Sequence, residues 1–285
     1  MKSTLDCIPC FVSHTLHVAK MVTDDPAVQA SIVKTCLSEI SKMDMERTPP
    51  EMARVIHAVI RSTTGVDDAY LKIKDESTAF ALKLLPQLRE DVAKASDKFE
   101  AVVRLVIAGN IIDFGADRHF KLETAHHRIL EALDAPVDTA GIARLKKAMD
   151  HARNILYLAD NCGEAVIDRL LIELYAGKIT VAVRGYPILN DVTRREAEMS
   201  GLDSLARIVD TGDATPGVSM RHSSPEFLEE FRRADLIISK GQGNFETLND
   251  TDRPIFFLFR AKCSVISALL GDAALGSLHV IARNL

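Results

Sequence analysis

The amino-acid sequence predicts an α/β protein whose pattern changes near residue 150. Before that position, apolar residues recur at spacings of three and four, which is typical of amphipathic helices. After it, short apolar runs alternate with amphipathic segments, which is typical of strand–helix crossover units and a parallel sheet. We therefore expect a Rossmann-like, three-layer parallel-sheet domain over residues 151–285, preceded by an all-helical domain over residues 1–150.

In the N-terminal half the charged residues separate the apolar ones throughout, and no segment resembles a strand. TPPEM at 48–52 fits a helix start with proline in the first turn. The predicted helices cover 8–22, 26–43, 50–63, 67–94, 98–112 and 120–133.

In the C-terminal half the strands and helices alternate. The predicted strands cover 154–160, 178–185, 206–212, 235–241, 254–259 and 277–282, and the predicted helices cover 164–177, 191–201 and 225–234.

Composition excludes several classes of protein. The chain of 285 residues carries 35 basic and 40 acidic residues, a net charge of −5, which argues against binding to a nucleic-acid backbone. The N-terminus has no apolar core of signal-peptide length, and no uninterrupted apolar stretch is long enough to span a membrane. Five cysteines in so long a chain do not indicate a secreted disulfide framework. We expect a cytoplasmic protein.

Polar and glycine residues follow four of the predicted strands at the same point. These loops cover 160–164, 184–191, 210–213 and 239–244. Ligands of open parallel sheets bind beyond the carboxyl ends of the strands, so these loops are the candidate site.

The first two loops contain candidate metal ligands. Hard divalent cations prefer carboxylate and amide oxygens. Asp160 and Asn161 follow the first strand, and Asp191 lies in the next crossover. Together they would leave coordination positions for water and a phosphate. The alternative is that Asp160 and Asn161 only cap the helix that follows.

The loop SKGQGN at 239–244 has the composition of an anion site. Glycines let backbone N–H groups form a concavity for an anion, and Lys240 adds a full charge. The alternative is a glycine turn with a solvated lysine, since the Walker pattern is absent.

Two further polar clusters lie in the N-terminal half. Asn110 and Asp113 share a helix face in AGNIIDFG at 108–115, where they either cover the cleft or end a helix. Cys7, Cys10 and two histidines form a stripe at helical spacing in the first helix. One straight helix cannot wrap four ligands around one ion, so the alternatives are buried thiols or a metal or redox role that needs residues from elsewhere.

Four motifs together resemble those of the damage-control phosphatase family, formerly a domain of unknown function. In chain order they are AGNIIDFG, DNCGE, RGYPILNDVT and SKGQGNFE. The resemblance covers residues 5–285, and CIPC at 7–10 is similar to the short archaeal and bacterial branch with an N-terminal Cys-x-x-Cys. It implies a metal-dependent phosphatase acting on a small phosphorylated metabolite, such as a sugar phosphate or a damaged side product.

The resemblance also implies roles for individual residues. Asp160, Asn161 and Asp191 match the family's metal ligands, and Lys240 matches a phosphate contact. Asn110 and Asp113 match an Asn-x-x-Asp that lies towards the same cleft. The cation would be Mn, Co, Ni or Mg, and it would polarise the phosphoryl group and lower the pKa of water. Aspartyl phosphatases of the haloacid-dehalogenase type use an Asp-x-Asp motif after the first strand. Here Asp160 is followed by Asn161 and Cys162, which disfavours a covalent aspartyl phosphate.

Two other functions remain open from the sequence. A methyltransferase that uses S-adenosylmethionine follows from an activity reported for a relative, although DNCGE has only one glycine. A regulator that binds a nucleotide or metabolite without catalysis is the second alternative. The expected partner is a small phosphorylated substrate, with no nucleic acid and no membrane, and the oligomeric state is unknown.

Overall fold

A computed structural model describes residues 1–109, 127, 129–131 and 133–285. Within these residues the N-terminal half is helical and has no strand. Its helices are α1 (Cys7–Val22), α2 (Pro26–Ser41), α3 (Pro49–Thr64), α4 (Leu71–Lys94), α5 (Lys98–Ala108) and α6 (Thr139–His151).

Each predicted strand is present in the C-terminal half. The strands are β1 (Ile155–Leu158), β2 (Ile179–Val183), β3 (Arg207–Asp210), β4 (Leu236–Lys240), β5 (Ile255–Arg260) and β6 (Leu278–Arg283). The helices are α7 (Cys162–Ile172), α8 (Arg194–Met199), α9 (Pro225–Arg233), α10 (Gln242–Leu248) and α11 (Ser264–Leu269). The sequence patterns missed α6, α10 and α11, and most of the helix predicted at 120–133 lies outside the described residues.

The strands form one sheet in the order β3-β2-β1-β4-β5-β6. The chain moves outward from β1 to β3, then crosses back to β4 beside β1. The carboxyl ends of β1 and β4 therefore form the switch point at which ligands of such sheets bind. The predicted α/β fold is confirmed.

One strand departs from the predicted parallel arrangement, because β6 pairs with β5 in the antiparallel sense. The connection between them contains α11, whose six residues span only about 9 Å. The six residues of β5 span about 20 Å, so α11 cannot carry the chain back to the start of β5. The chain stays at the carboxyl edge and β6 returns from there.

Side chains alternate between the two faces of the sheet, and each face has its own core. On one face Ile155 and Tyr157 pack with α4, α5, α6 and α7, and on the other Leu156 and Leu158 pack with α9 and α10. Helices α1, α2 and α3 form a third core. Helices from before residue 150 thus share a core with the sheet, and the division into two domains at that residue stays a prediction. Of the helices that the structure describes, none has the length and apolar character needed to cross a membrane.

Candidate active site

The loops after β1 and β2 meet at the switch point. Asn161 and Asp191 form an isolated antiparallel bridge. The N–H of Val192 donates to the carbonyl oxygen of Asp160 at 2.9 Å, and the N–H of Cys162 donates to that of Asn190 at 3.0 Å. Backbone hydrogen bonds therefore bring Asp191 to the adjacent pair Asp160 and Asn161, although it lies 30 residues further along the chain.

Asn161 occupies the N-cap position of α7, but its side chain makes no capping hydrogen bond. Instead Nδ2 donates to Oδ2 of Asp160 at 2.9 Å and to Oε2 of Glu164 at 3.1 Å. This arrangement leaves Oδ1 of Asn161 as the atom that could face a cation. The capping alternative does not explain this side chain.

The two candidate carboxylates are buried, with Asp160 7% and Asp191 2% exposed. Burial raises the pKa of Asp160 well above its usual range, and the charges of Glu164 and Asp191 raise it further. Burial also raises the pKa of Asp191, while the ion pair with Arg184 lowers it. Because burial without full charge compensation penalises the ionised carboxylates, a bound cation would stabilise them here.

The chemistry of this donor set fits a hard divalent cation. This set has only two carboxylates, and in the described part of the chain no group of three or more His, Cys, Asp or Glu residues is placed to hold a metal ion. The candidate centre therefore depends on two carboxylates and the amide oxygen of Asn161. Such a sparse set suits a cation that keeps waters and binds substrate phosphate, as Mg²⁺ commonly does.

Within the described residues, the N-terminal cysteines belong to no group of three or more residues that could hold a metal ion. Cys7 is buried, Cys10 is exposed, and His14 shares a 2.9 Å hydrogen bond with His57. The expected stripe on one helix is present, but its members face different surroundings.

The glycine loop after β4 packs directly against the candidate ligands. Gly241 has a φ of +79°, and a Cβ there would lie 2.0 Å from Oδ2 of Asp160. Its N–H donates to the carbonyl of Leu258 at 3.1 Å. Gly241 therefore permits close approach of the loop to Asp160, and its own N–H is not available to an anion.

Lys240 does not occupy the position that the sequence predicts. Its side chain is 0% exposed, and its ammonium donates to Glu164 at 2.5 Å, to Asp168 at 2.6 Å and to the carbonyl of Val106 at 2.8 Å. An ammonium has three donors, so none remains for a phosphate. The reason is strand alternation, since residue 240 shares a face with residues 236 and 238 and points towards α5 and α7.

Lys240 instead positions the candidate ligands indirectly, through Glu164. It holds Glu164, which accepts a hydrogen bond from Asn161, which in turn donates to Asp160. The two acidic partners raise the pKa of Lys240 although burial lowers it, so the ammonium stays charged.

Two basic residues at this edge had no role in the sequence-based prediction, although Arg184 lies in one of its candidate loops. Lys262 follows β5 and is exposed, and its charge lowers the pKa of both Asp160 and Asp191. Arg184 follows β2 and is 1% exposed; Nε donates to Asp191 at 2.7 Å and Nη2 to Asn244 at 3.4 Å. None of the described residues accepts a hydrogen bond from its Nη1. Both residues end or follow predicted strands, which is the signal that could have identified them.

Asn110 and Asp113 lie outside the described residues, so their predicted place over the cleft stays a prediction. The preceding helix, α5, does reach the site. The carbonyl of Val106 accepts the hydrogen bond from Lys240, and a Cβ on Gly109 would lie 3.4 Å from the side chain of Glu164.

Comparisons with known proteins identify the family of this chain. Residues 3–276 match the damage-control phosphatase ARMT1-like domain. A damage-control phosphatase of Pyrococcus horikoshii is 32% identical over 94% of this chain and 93% of its own length. One of Archaeoglobus fulgidus is 30% identical over 95% of this chain and 96% of its own. The crystal structure of a DUF89 family protein from Pyrococcus horikoshii superposes with a TM-score of 0.90 at 30% identity and covers 100% of both chains. Proteins of this family are in general metal-dependent. The chain belongs to the damage-control phosphatase family, and it is a phosphatase.

Proposed function

We propose that this phosphatase holds one divalent cation with Asp160, Asn161 and Asp191 and hydrolyses the phosphomonoester of a small metabolite. The observation that carries the proposal is the convergence of two buried carboxylates and one amide at the switch point of the sheet. When bound, the cation supplies charge neutralisation and the activation of water.

The protein's own residues hold this arrangement in place. Arg184 fixes the carboxylate of Asp191, and Glu164 fixes the amide of Asn161. Groups held by such contacts need little reorganisation during the reaction, which is the main source of electrostatic catalysis.

The phosphoryl oxygens need donors other than Lys240. We assign this role to Lys262, which is exposed and whose charge lowers the pKa of both carboxylates, and to Nη1 of Arg184. A guanidinium and an ammonium both form strong, charge-assisted hydrogen bonds to phosphate.

The substrate is a sugar phosphate or a damaged phosphometabolite, in keeping with the names of the relatives. Mn, Co, Ni and Mg are the candidate cations. The relatives' names favour a phosphatase over the methyltransferase alternative.

The test measures hydrolysis of p-nitrophenyl phosphate after complete removal of metal by a chelator, and again after each cation is restored. Activity should disappear on removal and return with at least one cation. Asp191→Asn should weaken cation binding in calorimetry, because it removes a charge while keeping the shape. Asp203→Asn, at an exposed position, is the matched control. Activity that survives complete metal removal contradicts the proposal.

A further inference from the structure

A cavity lies beside the candidate active site, between α3 and the loops after β2 and β3. Its volume is about 330 Å³. Arg54, His57, Ala58 and Arg61 line one wall, and Tyr186 and His222 lie on the other side. Tyr186 is 57% exposed, so its ring is accessible to a molecule in the cavity.

The wall formed by α3 is one continuous helix face. Positions 54, 57, 58 and 61 differ by three or four residues, so their side chains lie on the same side of the helix. Ala58 is small and stands between longer residues, which leaves room in the middle of the wall. The opposite face of α3, with Ile56 and Ile60, packs in the third core.

The cavity carries net positive charge. Nε of Arg54 pairs with Asp213 at 2.7 Å, whereas Nη2 of Arg61 donates to the carbonyl of Pro187 at 2.9 Å. In the part of the chain that the structure describes, no carboxylate pairs with Arg61. Burial lowers the pKa of His57 to about 3, so this ring adds no charge. Arg61 therefore has no carboxylate within ion-pair distance among the described residues, although Asp67 and Asp68 line the adjoining pocket with it.

The cavity and the candidate active site share a loop. Tyr186 lies two residues after Arg184, so their Cα atoms are at most about 7 Å apart. The N–H of Gly185 donates to the carbonyl of Asp213 at 3.0 Å, which ties this loop to the cavity wall. A small molecule could therefore reach both places at once.

We propose that this cavity binds a second anionic group of the substrate, a carboxylate or a phosphate, through the guanidinium of Arg61. Guanidinium groups bind both anions with paired hydrogen bonds. The proposal rests on the proposed function and narrows the substrate to phosphomonoesters that carry another negative group. Tyr186 would cover the part of the molecule between the two anions.

The experiment compares two matched pairs of ligands: glucose 1-phosphate with glucose 1,6-bisphosphate, and glucose 6-phosphate with 6-phosphogluconate. Calorimetry on the metal-free protein measures affinity without turnover, and kcat/KM is measured separately with metal. In at least one pair the doubly anionic member should bind about tenfold more tightly or better. The pair that shows the preference identifies the second group as phosphate or carboxylate.

Two variants assign the preference to the cavity. Arg61→Gln should bring the affinity ratio within a pair close to one, and Arg61→Lys should restore part of it. Ala58→Leu fills the cavity from an exposed helix position and should also reduce the ratio. Arg232→Gln on α9 is the control and should leave the ratio unchanged.

Equal affinities within both pairs, or a preference that survives in both Arg61→Gln and Ala58→Leu, overturn the proposal. Because the binding measurement needs no catalysis, its failure is distinct from a failure of the proposed phosphatase mechanism. Metal-dependent hydrolysis of p-nitrophenyl phosphate without any second-anion preference would support the phosphatase mechanism and reject the second-anion cavity.

Discussion

Replacing Lys240 with methionine removes a buried charge while keeping a side chain of similar length. The ammonium of Lys240 lies 2.5 Å from Glu164 and 2.6 Å from Asp168, and all three side chains are at most 1% exposed. Loss of one partner from such a buried cluster leaves the other charges uncompensated and costs about 3–5 kcal/mol of folding stability. The affected carboxylates should take up protons, and burial already raises the pKa of Asp168 to about 7.

The effect should extend to the candidate metal ligands. Glu164 accepts hydrogen bonds from both Lys240 and Asn161, so its protonation or movement releases the amide of Asn161. Lys240→Met should therefore lower stability and cation affinity together. A lysine that contacted substrate phosphate would behave differently. Its loss would reduce kcat/KM roughly ten- to hundredfold while stability and cation affinity stayed unchanged.

Urea unfolding and calorimetric cation binding separate these outcomes. Lys262→Met is the matched control: this lysine is exposed, so its variant should keep stability but lose catalytic efficiency. Adding Glu164→Gln and Asp168→Asn to Lys240→Met should recover part of the lost stability, which a mutant cycle measures. A Lys240→Met protein with unchanged stability and cation affinity would refute the supporting role derived from the structure.

Two further predictions follow from the described contacts. Gly241→Ala should destabilise the protein by about 1–3 kcal/mol through its backbone conformation. It should also weaken cation binding, because the added Cβ would meet the carboxylate of Asp160. The control is Gly177→Ala, at a φ of +87° with nothing within 4 Å, which should lower stability in urea unfolding but leave calorimetric cation binding unchanged. Burial raises the pKa of Glu246 to about 7 from an ordinary value of 4.5, so the folded state binds the carboxyl proton more tightly than the unfolded state does. The protonated carboxyl therefore contributes its full stability below pH 4.5, and this contribution is lost as the pH rises through 7. Glu246→Gln should therefore gain up to about 3 kcal/mol relative to wild type between pH 5 and pH 8 in urea unfolding, whereas the exposed Glu198→Gln should show no such gain, and equal behaviour of the two variants would contradict the assignment.

Local sequence determined most of the secondary structure and three candidate ligands. Apolar runs of strand length separated by amphipathic segments predicted each strand, because burial on both faces of a parallel sheet requires such runs. Asp160, Asn161 and Asp191 follow the first two strands, and parallel strands end at one edge. That rule, together with the resemblance to the family's motifs, predicted that these residues meet.

The tertiary structure decided which basic side chains lie near those ligands. Lys240 has the sequence context of a phosphate contact, but the face on which it lies and the acidic side chains of α7 turn it into a buried counterion. Lys262 and Arg61 show no motif, and their positions depend on which strand ends and which helix face adjoin the switch point. Periodicity and turn chemistry act between near neighbours in sequence, whereas these charges are brought together by packing between distant segments.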